Sequence, residues 1–474
     1  MSSDAEVGGG LHRLTSGLVS TSAASGRQHR KTSERGIGVR VAIVSTYPPR
    51  PCGIAVFSSD LRGALIGACP GIEVEIASIV RDVSAEHPPE VTTTIRQDVV
   101  SDYAAAAAEL SSRADVVLVE HEFGIFGGAA GEFVLTLARR LTVPMVVTLH
   151  TVLSEPSDEQ TRTLRALCRQ AALVMVFTET ARRMVIEADL VDAARVSVVP
   201  HGAPDLLTEV PRSVELDGRS DDRLITKPPK LLLERLEQRT VLATFGLISA
   251  SKGLELVVET LPSIVAAHPE VCYLIAGQTH PEVVKQEGEQ YRLGLQQRVR
   301  DLGMTEHVIF VDRFLTVEEL AVLLGGTDLY LTPYRSREQI VSGALTFAVA
   351  AGCAVVSTPY FYATDLLGSG AGVLVPFDDS AALAAAVVEL LDSPASLRAA
   401  RAEARRVGAA LGWSSVGRAT ATVLADAAVR GEAPAPRGPA PKATVSWPSA
   451  RTTGNVKLLP TGPTRFGRVT GQHP

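Results

Sequence analysis

Short unbroken runs of Val, Ile and Leu recur along this chain, separated by Ala/Leu-rich stretches of helical spacing. From residue 39 to about 203 the runs are RVAIVS (40–45), EVEIASI (73–79), DVVLV (115–119), PMVVTL (144–149), LVMVF (173–177) and RVSVVP (195–200). A strand that is apolar at successive rather than alternate positions is buried on both faces, as in a parallel sheet covered by helices. Segments such as YAAAAAELSSRA supply the helices between them, so this half reads as a βαβ series in a doubly wound sheet. Residues 204–238 break the pattern with charge and proline (RSDDRLITKPPK) and read as a linker. The alternation resumes with TVLATFG (240–246), VCYLIAG (271–277), HVIFV (307–311), DLYLTP (328–333) and CAVVSTP (353–359). Leu254, Val257, Val258, Leu261 and Val265 fall on one face of a helix, with Pro262 inside it at an expected cost. TVEE (316–319) is a capping box ahead of another helix. Residues 412–430 read as a final amphipathic helix, and 1–38 and 431–474 as a disordered leader and tail.

Length and charge narrow the picture. At 474 residues the chain is too long for one core, and 46% hydrophobic with 21% charged residues suits two packed domains. A net charge of −6 without a dense Lys/Arg block argues against nucleic acid as a partner. The five cysteines lack C-x-x-C spacing and read as free thiols in a reducing compartment. There is no apolar run of about 18 residues and no signal-peptide core. The expectation is a soluble cytoplasmic protein whose membrane contact is at most peripheral.

Ligands of open α/β sheets bind just beyond the carboxyl ends of the strands, and the unusual residues collect there. In the first half these are Gly53 behind a proline turn in TYPPRPCGIAVF (46–57), EHEFGIFGG (120–128), His150, and His201 with Gly202. In the second half they are GLISASKG (246–253), GQTHPE (277–282), Arg313 and PYRSREQIVSG (333–343). Two such edges facing each other would make a cleft. Each residue also has an ordinary reading. Gly53 serves either a tight turn or an anion at a helix start. Lys252 precedes a helix, where a cation opposes the positive dipole end unless a phosphate sits between them. His150 is either a satisfied core histidine or a functional one. Glu120 and Glu122 flank His121 and form either a carboxylate pair on one face or part of a solvated loop. The SDDR segment (220–223) lies in the linker without a preceding strand, so no metal site is expected there. GLISASKG is not a Walker loop, because Gly-Lys-Ser/Thr is absent.

Taken together, these loops resemble family 4 of the retaining glycosyltransferases. STYPPRPCGIAVFSSDL, EHEFGIFGG, VTLHTV, VVPHGAPD, FGLISASKGLE, IAGQTHPEV and ALTFAVAAGCAVVSTPY follow the family's order over about residues 39–430. The resemblance implies an α/β GT-B fold, in which two doubly wound Rossmann-like domains face each other across a cleft. The acceptor side would be 39–203 and the nucleotide-sugar side 239–411, with the helix over 412–430 crossing back. It implies metal-independent transfer of a hexose from a GDP-, UDP- or ADP-linked sugar to a carbohydrate or lipid-linked acceptor, with retention. No cofactor is implied beyond this nucleotide-diphosphate sugar as co-substrate. By position, Gly53 matches the loop whose N–H groups approach the donor phosphates, and His150 the histidine on the transferred sugar. Lys252 matches the lysine on the diphosphate, and Ser342 and Gly343 the loop that closes over the phosphates. Glu120, His121 and Glu122 fall on the acceptor side.

The chain departs from the family pattern twice. Leu247 stands where an arginine is expected, with Arg313 as its candidate substitute. The paired-glutamate motif starts at Glu338 or Gln339, and its second position is Thr346 or Phe347. The ribose-holding carboxylate is therefore missing, and Asp365 is the candidate replacement. Two other readings stay open. One is a phosphorylase or synthase acting on a sugar phosphate, for which Arg50 beside Gly53 is the local hint. The other is a nucleotide-sugar-binding regulatory protein with a decayed site.

Overall fold

The computed structural model of the chain describes residues 38–81, 86–209, 236 and 238–431. The expected leader and tail, the SDDR segment and most of the linker lie outside the described residues. Seven parallel strands form the first sheet: β1 (Arg40–Ser45), β2 (Glu73–Val80), β3 (Val91–Arg96), β4 (Val116–His121), β5 (Met145–Leu149), β6 (Leu173–Val176) and β7 (Val196–Val198). Six form the second: β8 (Thr240–Phe245), β9 (Val271–Ala276), β10 (Val308–Val311), β11 (Leu329–Thr332), β12 (Ala354–Ser357) and β13 (Gly372–Leu374). The orders are β3-β2-β1-β4-β5-β6-β7 and β10-β9-β8-β11-β12-β13. In each, the strand order reverses beside the first strand, and such a switch point leaves a crevice at the strands' carboxyl ends.

Two strands escape the sequence pattern. β3 reads VTTTIR and alternates buried with exposed residues because it is an edge strand; β13 has only three residues. Conversely, β4 does not stop at Val119. Glu120 and His121 pair with Thr148 and Leu149 of β5, so the strand carries both into the core.

Five helices position the site. α1 (Gly53–Ala68) is capped by Cys52, whose sulfur accepts the Ala55 N–H. α2 (Glu179–Glu187) is capped in the same way by Thr178. α3 (Leu254–Ala267) begins after Gly253, which has φ +63° and lies so close to the β11 exit that a Cβ would sit 2.1 Å from the Pro333 carbonyl. It runs straight through Pro262, with Val257, Val258, Leu261 and Ile264 all fully buried. Burial of each is worth about 1.5–3 kcal/mol, which outweighs the roughly 3 kcal/mol cost of an interior proline. α4 (Gly343–Ala350) is capped by Ser342.

α5 (Trp413–Arg430) follows the second sheet yet packs on α1 of the first, so closely that a Cβ on Gly417 would lie 2.5 Å from the Ala64 carbonyl. The chain's return is pinned by Ala203, which donates to Leu411 O (2.7 Å) and accepts from Trp413 N (2.8 Å).

Candidate active site

Gly53 is exposed as the first residue of α1, has no positive φ, and a Cβ there would meet nothing within 4 Å. Neither its conformation nor its packing calls for glycine. That leaves open space over the free N–H groups of a helix start, where an anion is favourable.

The neighbouring acidic segment is arranged differently from the sequence expectation. Glu120 is fully buried, so it presents nothing to an acceptor. His150 Nε2 donates to its Oε2 (2.7 Å) and Thr148 Oγ1 to its Oε1 (3.2 Å), which satisfies a carboxylate that water does not reach. Glu122 accepts from Phe123 N (2.9 Å) and from Thr151 Oγ1. The two glutamates thus hold separate partners and do not work as a pair. His121 is also sealed in, against Phe123 and Phe126, and neither ring nitrogen has a hydrogen-bond partner. Burial, reinforced by nearby His150, pushes its imidazole down to about 3, so it is a neutral core residue and no acceptor contact.

His150 stands edge-on to Phe57 (4.9 Å) and Phe177 (5.0 Å). His201 joins the same cluster 5.0 Å from Phe57, with Nδ1–H donating to Gly202 O at 2.7 Å. Burial lowers His201 to about 4, and its Nε2 faces α4, where a Cβ on Gly343 would be 3.6 Å away.

On the opposite side Lys252 is half-buried and forms no ion pair among the described residues. Its Nζ donates to the Tyr334 hydroxyl (2.7 Å) and lies 4.1 Å from the centroid of that ring. The Tyr334 hydroxyl is in turn 3.4 Å from Ser342 Oγ, so it stands between Lys252 and the N-terminus of α4. Ser342 and Gly343, the expected phosphate loop, form that N-terminus.

The proposed replacements for the two departures fare otherwise. Arg313 is in a bidentate pair with Glu319 (2.7 Å twice) at the end of β10, two strands away from β8. It is neutralised where it stands and does not substitute for an arginine at Leu247. Glu338 crosses to the first half, accepting from Ser154 N (2.7 Å) and Ser154 Oγ (2.5 Å). Gln339 folds onto Val341 O at 2.7 Å. Asp365 also crosses, accepting from Thr180 N (2.8 Å) and Thr180 Oγ1 (2.6 Å) in the first turn of α2. Both carboxylates thus cross between the halves, each accepting one backbone N–H and one hydroxyl from the other half. At the motif's second position, Thr346 is fully buried and bonded to Ser342 O and the Tyr362 hydroxyl. Phe347 is half-buried and packs its ring on Phe245.

Sequence reasoning assigned no role to Tyr334, His201, Ser154 or Thr180. Of these, Tyr334 and His201 carry a signal, since each follows a proline (Pro333, Pro200) just past a strand end.

Comparison with known proteins adds what geometry does not. Residues 38–205 match the family described as Glycosyltransferase Family 4, and residues 239–393 the one described as Glycosyl transferases group 1. A phosphatidyl-myo-inositol mannosyltransferase of Mycolicibacterium smegmatis is 28% identical over 185 residues, 39% of this chain and 42% of that protein. The chain thus matches less than half the length of this relative. Among solved structures, sucrose-phosphate synthase from Thermosynechococcus elongatus aligns with a TM-score of 0.64 over 83% of this chain and 100% of its own, at 17% identity. Anabaena HepE in complex with UDP aligns with a TM-score of 0.63 over 82% and 100%, at 16% identity. At these identities the likeness is one of fold.

Proposed function

The chain belongs to the family 4, group 1 glycosyltransferases of GT-B fold, and from that premise we propose that it transfers a hexose from a nucleotide-diphosphate sugar to an acceptor hydroxyl, with retention and without a metal ion. One observation carries the reading. Lys252 is a half-buried ammonium with no carboxylate partner among the described residues, set beside the N-terminus of α4. The matching negative charge is then the ligand's. A sugar–diphosphate bond breaks when charge developing on the leaving group meets fixed cations and N–H groups, each worth about 2.7–4 kcal/mol at a preorganised site. The acceptor hydroxyl attacks the oxocarbenium-like sugar on the face the diphosphate is leaving, and the departing phosphate takes its proton. No protein nucleophile is required. His150, anchored by Glu120, orients the sugar.

The UDP complex of a protein of the same fold supports a UDP-linked donor, with GDP- and ADP-linked sugars as alternatives. The mannosyltransferase relative supports a lipid-linked acceptor, with other carbohydrates as alternatives. No single helix among the described residues is long and apolar enough to cross a membrane, and we place any membrane contact at the periphery. A second reading, transfer to a sugar phosphate, is favoured by the fold of sucrose-phosphate synthase and by Arg50, which reaches the Ile79 carbonyl (3.4 Å) three residues before Gly53.

The test is transfer from UDP-, GDP- and ADP-hexoses to lipid, sugar and sugar-phosphate acceptors, with product anomers read by proton NMR. The expected product keeps the donor's anomeric configuration at a rate unchanged by EDTA. An inverted anomer, or a rate abolished by EDTA, contradicts the corresponding part of the mechanism.

A further inference from the structure

The diphosphate reading leaves a deficit. The family resemblance expects two cations at the leaving group, Leu247 supplies none, and Arg313 is held elsewhere by Glu319. The side chain that the remaining cation, Lys252, meets is Tyr334. It follows β11 after Pro333, and its loop is locked against the Lys252 turn, with Arg335 N donating to Ser251 O (3.2 Å) and Pro333 O lying over Gly253. Its ring is stacked on Tyr360 with centroids 4.8 Å apart and planes 13° from parallel, and both rings are buried. The phenol is therefore rigid before any ligand arrives.

The protons around its oxygen can be accounted for. Lys252 donates to that oxygen at 2.7 Å, so the phenol's own hydrogen has to find a different acceptor. The neighbouring Ser342 Oγ is 3.4 Å away, well beyond the usual 2.7–2.8 Å or so for O–H···O. Ser342 Oγ also accepts the Leu345 N–H as a helix cap. A donor hydrogen with a poor internal acceptor thus sits between a cation with no counter-ion among the described residues and a helix N-terminus.

We propose that Tyr334 is a further diphosphate-binding residue. Its ring and oxygen hold the Lys252 ammonium in place, and its O–H donates to a phosphate oxygen of the nucleoside diphosphate, in place of the charge missing at Leu247. The proposal rests on Lys252 being the diphosphate cation, and the experiment separates the two claims.

Calorimetric titration with UDP, GDP and ADP, and with the nucleoside of whichever binds best, is carried out on the full chain and on Tyr334→Phe and Lys252→Ala. Tyr334→Phe keeps the ring and its stack while deleting the donor. The expected result is about tenfold weaker diphosphate binding in Tyr334→Phe with nucleoside binding unchanged. A Tyr334→Phe protein that binds diphosphate within twofold of the parent, while Lys252→Ala loses tenfold or more, overturns the role of Tyr334 alone. If Lys252→Ala also binds like the parent, the diphosphate reading itself falls, and the Tyr334 proposal with it. Equal losses of diphosphate and nucleoside binding in Tyr334→Phe mark a merely structural residue and likewise overturn it.

Discussion

Cutting the two carboxylate clasps should open the cleft. Glu338 and Asp365 each accept one backbone N–H and one hydroxyl from the opposite half, at Ser154 and Thr180. A hydrogen bond to a charged group contributes about 1.5–3 kcal/mol net. Glu338 is half-buried and Asp365 exposed, so water recovers part of this, and each clasp is worth at most about 1.5–3 kcal/mol as a unit. Losing both in Glu338→Ala/Asp365→Ala therefore shifts the closed-to-open ratio by at most about 10²–10⁴. The backbone bridge at Ala203, Leu411 and Trp413 stays, so the halves remain joined. Small-angle scattering reads the effect as a larger radius of gyration, accompanied by a fall in kcat/KM for the donor sugar. Affinity for the nucleoside diphosphate alone, which the proposed function places mainly on the second half, is expected to change by less than about threefold. Scattering and kcat/KM both identical to the parent would refute the argument.

Other consequences follow from single residues. Glu120→Ala leaves His150 Nε2 without its 2.7 Å partner and costs about 1–3 kcal/mol in urea unfolding, with a fall in kcat; Glu120→Gln, which keeps an acceptor, restores most of both. Because Thr346 and Phe347 stand where a ribose carboxylate is expected, 2′-deoxy and ordinary nucleoside diphosphates should bind within about threefold of each other, whereas a carboxylate-held hydroxyl would separate them by about 10–100-fold. Asp60 on α1 gives a pH signature: burial pushes its carboxyl from 3.8 up to about 6, while the nearby Trp413 indole pulls it down without reaching an acceptor at hydrogen-bond geometry, so desolvation decides. The folded state then holds a proton that the unfolded state releases between about pH 4 and 6, so stability falls as pH rises through that window. Asp60→Asn should gain about 2 kcal/mol at pH 7 and almost nothing below about pH 4, as measured by urea melts at both.

Much of this was legible in the sequence because buried parallel strands leave a continuous apolar signature. The doubly wound sheets and the strand-end positions of Gly53, His150, Lys252 and Ser342 follow from it directly. What escaped had no such signature. β3 alternates because one of its faces meets solvent, and Glu120 and His121 look like loop residues because polar side chains seldom continue a buried strand. The reach of a side chain is not written in its spacing either. Glu338 and Asp365 sit where donor contacts are expected, yet their partners lie 184 and 185 residues away in the chain. Tyr334 was visible only as the residue after Pro333, and its meeting with Lys252 depends on how closely β11 and the Gly253 turn approach.

The most direct test of a diphosphate site at Lys252 is a thermal-shift titration of the parent chain and Lys252→Ala with UDP, GDP and ADP. A ligand at 100 times its Kd stabilises the folded state by about 2.7 kcal/mol, readily seen as a rise in Tm. A shift with one of the three nucleotides, lost in Lys252→Ala, is the predicted result. No shift in the parent with any of them, or an equal shift in both proteins, would contradict it.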